Sequence, residues 1–264
     1  MFNIIVCAKQ VPDTNEIRIN QETGTLIRDG VPSILNPDDA NALEEALKIK
    51  DKDPDNVHVT VVSMGPPQAQ DMLFECLAMG ADEGVLLSDR AVGGSDTWAT
   101  SNAITATIKK LKYDLIFAGR QAIDGDTAQV GPQIAEKLNL PQVTYVQKFE
   151  LAKDKKSVKV ERQLEDGYEV IKATLPCMLT CIKELNTPRY MNIGGIFNPD
   201  KDIKVWSAAD VEVDLNTVGL KPSPTNVFRS FTPKPKGKGT MLEADSEKEL
   251  AEQLVGNLKK KHII

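Results

Sequence analysis

YDLIFAGRQAIDGDTAQV, residues 113–130, is a short apolar run that stops at Gly119, a polar loop of Asp, Gly and Gln, and then a helix start. In a chain that alternates strands and helices, such a junction is where ligands carrying phosphates and adenine bind, because the free N–H groups of the first helical turn attract anions. Asp126 can cap that helix, with Gln129 three residues on, close to a capping-box arrangement. Pro132 in a helix interior costs about 3 kcal/mol, so the helix bends there or begins later.

The rest of the first half has the same rhythm. Asn3–Ala8, Val57–Ser63, Gly84–Leu87 and Tyr113–Ala118 read as strands. They are continuous apolar runs, as expected of strands covered on both faces. Helical patterns separate them: Asp38–Lys50, Pro67–Met79, Asp96–Leu111 and Thr127–Leu138. The order predicts an α/β fold, a doubly wound and mostly parallel sheet with helices on both faces. Ser157–Arg162 and Tyr168–Ala173, joined by a polar turn ending in Asp166-Gly167, predict an antiparallel hairpin extension. Cys177–Lys183 reads as another strand. From Asn186 to about Glu243 the chain is rich in Pro, Lys and Asp and predicts an extended arm. A terminal helix over Ser246–Lys260 puts Leu250, Leu254 and Leu258 on one face. The expected division is an α/β nucleotide-binding domain over 1–185, then an arm and helix over 186–264 embracing a partner subunit.

The charge balance narrows the partners. A net charge of −6 argues against nucleic acid. No apolar run approaches a membrane span, and Asn3–Ala8 is too short for a signal peptide. Cys7, Cys76, Cys177 and Cys181 have no paired metal-ligand spacing and read as reduced thiols of a cytoplasmic protein. With His58 and His262 the only histidines, neither a His-dependent triad nor a multi-His metal site is expected. No catalytic side chain or metal ligand emerges.

Two further junctions resemble the first. Asn36-Pro37-Asp38-Asp39 opens a helix after a turn-rich stretch. Gly93-Gly94-Ser95-Asp96-Thr97-Trp98-Ala99-Thr100-Ser101 runs from a Gly-rich loop into another. Glycines let backbone approach a ligand, and hydroxyls bond phosphate oxygens. Each junction also has a plain reading as a capped helix start, and neither is a Walker loop. The Rossmann glycines are missing after the first strand, where Lys9–Asp13 stands. Three such starts in one α/β domain point to a nucleotide or dinucleotide-like cofactor, without saying which.

Several motifs together resemble the small (β) subunit of electron transfer flavoproteins. They are Asn36–Asp39 followed by Leu43–Leu47, Ala78–Asp82, Gly119–Asp124, and Val160–Ile171 with Pro176. The match runs in order from Val6 to about Tyr190. The resemblance implies a heterodimer with a larger α subunit. It implies an adenine nucleotide held by Cys7, Asn36, Pro37, Asp38, Asp39, Met64, Gly119, Arg120, Gln121, Ala122, Ile123, Asp124, Gly125, Asp126, Thr127, Ala128, Gln129 and Val130. In respiratory members that nucleotide is AMP, and their residue at position 38 is aromatic. GGSDTWATS is instead similar to electron-bifurcating members, which bind a full FAD in this subunit. Asp96, Thr97, Thr100 and Ser101 are then expected to line the FAD. NADH is the implied donor. The implied acceptors are ferredoxin or flavodoxin and, through the α-subunit FAD, an acyl-CoA dehydrogenase-like or other flavoprotein. Tyr190–Phe197 matches the family's partner-recognition loop. Ile193 and Phe197 are its candidate docking residues, the alternative being that Ile193 packs the arm onto the α subunit. The rival readings are a non-bifurcating shuttle with structural AMP and, from another class, an ATP-binding sensor module similar to universal stress proteins.

Overall fold

The computed structural model describes residues 1–13, 18–19, 26–27, 32–197, 203–228 and 237–264. By contact the chain falls into two compact units, Met1–Arg229 and Ser230–Ile264.

The first unit is built on a nine-stranded sheet. In chain order its strands are β1 (Phe2–Cys7), β6 (Val57–Met64), β7 (Glu83–Leu87), β8 (Leu115–Gly119), β9 (Gln142–Leu151), β10 (Ser157–Leu164), β11 (Gly167–Thr174), β12 (Cys177–Cys181) and β13 (Ile203–Trp206). Two small antiparallel pairs lie between β1 and β6: β2 (Gln10–Pro12) with β5 (Ser33–Leu35), and β3 (Arg18–Ile19) with β4 (Leu26–Ile27). The order across the large sheet is β11-β10-β9-β12-β8-β1-β6-β7-β13. Every pairing from β9 to β13 is parallel. The β9-β10 and β10-β11 pairings are antiparallel and form the expected hairpin extension.

Helices cover both faces. α1 (Pro37–Lys52) and α2 (Ala69–Met79) contribute Leu43, Leu47, Leu73 and Leu77 to a core with Ile4, Val6 and Phe117. α3 (Thr97–Lys109) and α4 (Val130–Lys137) contribute Ile104, Ile108 and Ile134 to a second core with Ile5, Val62 and Ile116. Successive residues of β1 thus feed opposite cores, the two-residue period of a strand buried on both sides.

Winding fixes one special place. From β1 the chain moves outward through α1, β6, α2 and β7. After α3 it returns to the other side of β1 as β8. The strand order therefore reverses between β1 and β8, and a crevice opens beyond their carboxyl ends.

Three details differ from the sequence reading. β9 forms over a stretch for which the sequence reading named no element, and it is broken by a bulge where Tyr145 adopts φ 58°. α4 starts at Val130, because Asp126 and Ala128 adopt positive φ and keep the chain in a loop. Asp126 therefore caps nothing in α4; its carboxylate accepts a hydrogen bond from Gln121 Nε2 at 2.8 Å. The late start puts Pro132 in the first turn, where its missing N–H costs little.

Of the expected arm, 198–202 and 229–236 lie outside the described residues. Residues 186–197 dock on α1 and α2, and β13 extends the sheet beside β7. α5 (Ile193–Ile196) is a single turn in that stretch. In the second unit, α6 (Glu247–Lys260) is capped by Ser246, whose Oγ accepts from Glu249 N at 3.3 Å. Among the described residues no helix is long and apolar enough to cross a membrane.

β8 tolerates only glycine at its end. A Cβ on Gly119 would stand 2.7 Å from Asp39 N and 2.8 Å from the Asp38 carbonyl carbon, both backbone atoms. Gly119→Ala is expected to lower stability by about 1–3 kcal/mol or more in denaturant unfolding. Gly125→Ala, whose Cβ meets nothing within 4 Å, should change it by less than about 0.5 kcal/mol. Equal effects of the two would contradict this packing.

Candidate functional site

The crevice at the strand reversal is a cavity of about 360 Å³. Its floor is the carboxyl ends of β1 and β8, with Cys7, Ala8, Ala118 and Gly119. One wall is the loop from Arg120 into the first turn of α4, and the other is the Ser95–Thr100 entry to α3. Ile104 and Ile134, from the facing helices, supply apolar surface at its base.

Asp39 holds the floor together. It is buried in the first turn of α1. Its Oδ2 accepts from Lys9 N at 2.9 Å and its Oδ1 from Gly119 N at 2.8 Å. One carboxyl thus ties the residue after β1 to the last residue of β8. Burial pushes the Asp39 carboxyl up to about 7, against the pull of those two donors. Burial, and then the charge of Asp39, push the Cys7 thiol up to about 12. Cys7 therefore enters the cavity as a neutral thiol.

Asn36, Pro37 and Asp38 do not line the cavity. Asn36 is fully buried and braces the loop from behind: its Nδ2 donates to Gln121 O at 2.9 Å, and its Oδ1 accepts from Ile123 N at 3.1 Å. Pro37 opens α1. Asp38 Oδ2 lies 3.4 Å from Arg120 Nε, and the Arg120 guanidinium stands 5.6 Å from the Tyr145 ring centroid. Burial raises the Asp38 carboxyl, and Arg120 partly offsets it. The Tyr145 bulge in β9 thus presents a ring to a cation of the cavity wall.

Gly119, Arg120, Gln121, Ala122, Gly125, Thr127, Ala128, Gln129 and Val130 face the cavity, whereas Ile123, Asp124 and Asp126 do not. Asp124 turns to Lys9, accepting from its Nζ at 2.7 and 2.8 Å. Gln129 precedes α4 without making a side-chain cap, so the N–H groups of Val130 and Gly131 at the cavity wall have no competing cap, while Pro132 has no N–H. That is the arrangement of an anion site.

Across the cavity, Met64, Asp96, Thr97 and Thr100 face inward as expected. Asp96 caps α3, its Oδ1 accepting from Ala99 N at 3.0 Å and its Oδ2 from Thr225 N and Oγ1 at 2.9 and 2.8 Å. Burial raises its carboxyl, but these donors outweigh that and hold it below the usual range. Thr97 Oγ1 donates to Gln129 Oε1 at 2.8 Å, joining the starts of α3 and α4. Ser101 lies one turn deeper, outside the lining, where its Oγ donates to Gln133 Oε1 at 2.9 Å and accepts from Lys137 Nζ at 2.7 Å. Ile193 opens α5 and Phe197 follows its last residue, both outside the lining of this cavity.

Sequence reading missed Ala8, Lys9, Ser95, Ile104, Ala118, Gly131 and Ile134 as lining residues. Ile104 and Ile134 carried a signal, since each lies four residues after a predicted contact, Thr100 and Val130, on the same helical face. Lys9 carried none, because it reaches the site only through the β1–β8 pairing. The lining cations Lys9 and Arg120 each lie beside a carboxylate, Asp124 and Asp38. The arrangement offers a nucleotide glycine-lined backbone, polar side chains on two helix starts and an apolar base. It offers no nucleophile–base pair.

Comparison with known proteins agrees with the geometry. Residues 23–211 match the family described as electron transfer flavoprotein domain. The chain is 61% identical to the caffeyl-CoA reductase–Etf complex subunit CarD of Acetobacterium woodii, with 100% of each chain covered. It is 59% identical to the electron transfer flavoprotein subunit beta of Clostridium acetobutylicum, again over 100% of both chains. It is 52% identical to the acryloyl-CoA reductase electron transfer subunit gamma of Anaerotignum propionicum, also over 100% of both.

The Asp39 tie has a pH signature. Its carboxyl goes from an ordinary 3.8 in the unfolded chain to about 7 in the fold. The fold thus favours the protonated form. That contribution is complete below pH 3.8 and is lost as the pH rises through about 7. Asn at this position does not titrate. The stability gap between the wild type and Asp39→Asn should therefore narrow as the pH rises through this window. The 13C resonance of the Asp39 carboxyl should titrate well above 3.8; a midpoint at or below that value would contradict the assignment.

Proposed function

The chain belongs to the electron transfer flavoprotein family, as a subunit of the β type, and from that premise we propose that its cavity binds FAD for NADH-driven electron bifurcation. The observation that carries the reading is the convergence of two helix starts on one cavity at the strand reversal. An adenine nucleotide needs only the Gly119–Gly131 wall. The opposite wall, Ser95–Thr100, adds hydroxyls and a second helix start facing the same space, which suits a longer dinucleotide. These are also the residues whose sequence, GGSDTWATS, is similar to bifurcating members of the family.

The residues fit such a cofactor. The uncapped first turn of α4 and the backbone of Gly125–Gly131 suit its phosphates. Ile104 and Ile134 offer apolar surface, and Thr97 and Thr100 offer hydroxyl partners. Arg120, whose Nε lies 3.4 Å from Asp38, brings a cation to the same wall. Bound there, FAD would supply the exchange between hydride and single-electron chemistry that none of these side chains offers. The protein's part is to orient it, limit water and set the charge around it.

In this reading the subunit works in the cytoplasm, paired with an electron transfer flavoprotein α subunit. NADH is the donor. Ferredoxin or flavodoxin is one acceptor, and a flavoprotein acyl-CoA dehydrogenase or reductase, reached through the α subunit, is the other. The names of the relatives, a caffeyl-CoA reductase–Etf complex and an acryloyl-CoA reductase electron transfer subunit, support the last. Ile193 and Phe197, exposed at the start of α5 and just after its end, are the proposed docking residues for that partner.

The test is the cofactor content of the purified heterodimer after denaturation, separated chromatographically. Two FAD per heterodimer and no AMP are expected, with NADH bleaching the flavin absorbance under anaerobic conditions. One FAD with one AMP, and no bleaching by NADH, would overturn the proposal in favour of a non-bifurcating shuttle.

A further inference from the structure

The stretch 186–197 is polar and tightly held at its base, and at its tip, which rests on the end of α2, its apolar side chains are exposed. Asn186 and Asn41 bond reciprocally, Nδ2 of each donating to the backbone carbonyl of the other at 3.0 and 2.7 Å. Arg189 then forks between two carboxylates of α1. Its Nε and Nη2 donate to the two oxygens of Glu44 at 2.8 and 3.0 Å, and Nη2 also reaches Asp51 Oδ2 at 2.7 Å. Its backbone N–H bonds Glu44 as well, at 3.1 Å. The Glu44 side chain is only 6% exposed, and the Arg189 guanidinium is its ion-pair partner. Further on, Asn192 N donates to Ala78 O at 2.9 Å. A Cβ on Gly195 would stand 2.6 Å from that same oxygen, so the turn lies directly on the end of α2.

Beyond these anchors the apolar side chains are out. Tyr190 is 97% exposed, Ile193 74% and Phe197 79%. A binding surface ordered before its partner arrives avoids the entropy of ordering on contact.

We infer that Arg189 is the positioning residue of this docking turn: its guanidinium, forked between Glu44 and Asp51, holds residues 190–197 in the arrangement a partner meets. The inference rests on the reading of Ile193 and Phe197 as docking residues. It adds that α1 carries the turn through Glu44, five positions after the Asp39 that braces the cavity.

The four native thiols of this chain are buried, so a nitroxide placed on Phe197→Cys of this subunit before it is assembled with its partner reports the turn alone. Arg189→Gln should shorten the label's correlation time about threefold, on the scale of an ordered turn becoming a mobile loop. Cofactor content should not change. The double variant Glu44→Gln/Arg189→Gln, which leaves no buried unpaired charge at that site, should loosen the label equally and carries the test if the single variant unfolds. In unlabelled heterodimer, with the caffeyl-CoA reductase of the Acetobacterium woodii complex as acceptor, Arg189→Gln should raise the KM for acceptor about tenfold and leave kcat unchanged, the signature of lost docking energy. Ile193→Ala should raise the same KM without changing label mobility. Unchanged mobility in both Arg189 variants would overturn the positioning role. Unchanged KM in Ile193→Ala would overturn the docking reading, and the label would still decide the role of Arg189.

Discussion

A single buried carboxyl governs this structure. Asp39 takes one hydrogen bond from the backbone after β1 and another from the last residue of β8, at 2.9 and 2.8 Å. Those two strands pair in parallel as far as Cys7 and Ala118, and their chains then leave in opposite winding directions. The carboxyl ties the two departing ends from the first turn of α1, where the helix N-terminus also favours its negative charge. Gly119 is the counterpart: only without a Cβ can the β8 end come this close to the helix backbone. Burial disfavours that charge, so the tie is made by a group held near the edge of ionisation.

The same helix reaches in two directions. Its first turn shapes the cavity, and Asn36 just before it braces the Gln121–Ile123 loop. Its later turns, through Glu44 and Asp51, hold the Arg189 segment. The cofactor wall and the apolar turn are thus both referred to α1, a rigid element packed against the sheet by Leu43 and Leu47. That division of labour explains why α1 buries Asp38, Asp39, Asn41, Glu44 and Glu45, an unusual number of polar groups for one helix. Most of them are hydrogen-bonded to backbone or to a cation that another segment brings.

Much of this was legible in the chain because local signals and tertiary demands coincide. β1, β6, β7 and β8 show as apolar runs because both of their faces are covered. The hairpin shows because Asp166-Gly167 marks its turn. β9 did not show, since polar residues interleave with its buried ones and the Tyr145 bulge breaks the alternation. The start of α4 was misplaced because positive φ at Asp126 and Ala128 comes from the tertiary setting of the loop. Asn36–Asp39 drew notice as a candidate ligand contact, yet only Asp39 lines the cavity; the others hold the wall from outside. Residues that touch a site and residues that shape it have the same chemistry in sequence, and only the strand order separates them. Lys9, which faces the cavity from the end of β1, was illegible for the same reason.

The account stands on the two walls of one cavity being used together. An electron-density map of the heterodimer, purified with its own cofactors, tests this directly. Continuous density for a whole FAD, running from the Gly119–Gly131 wall across to Ser95–Thr100, is the predicted result. Density for a mononucleotide that stops at the Gly119–Gly131 wall, with Ser95–Thr100 touching only protein and water, would contradict it.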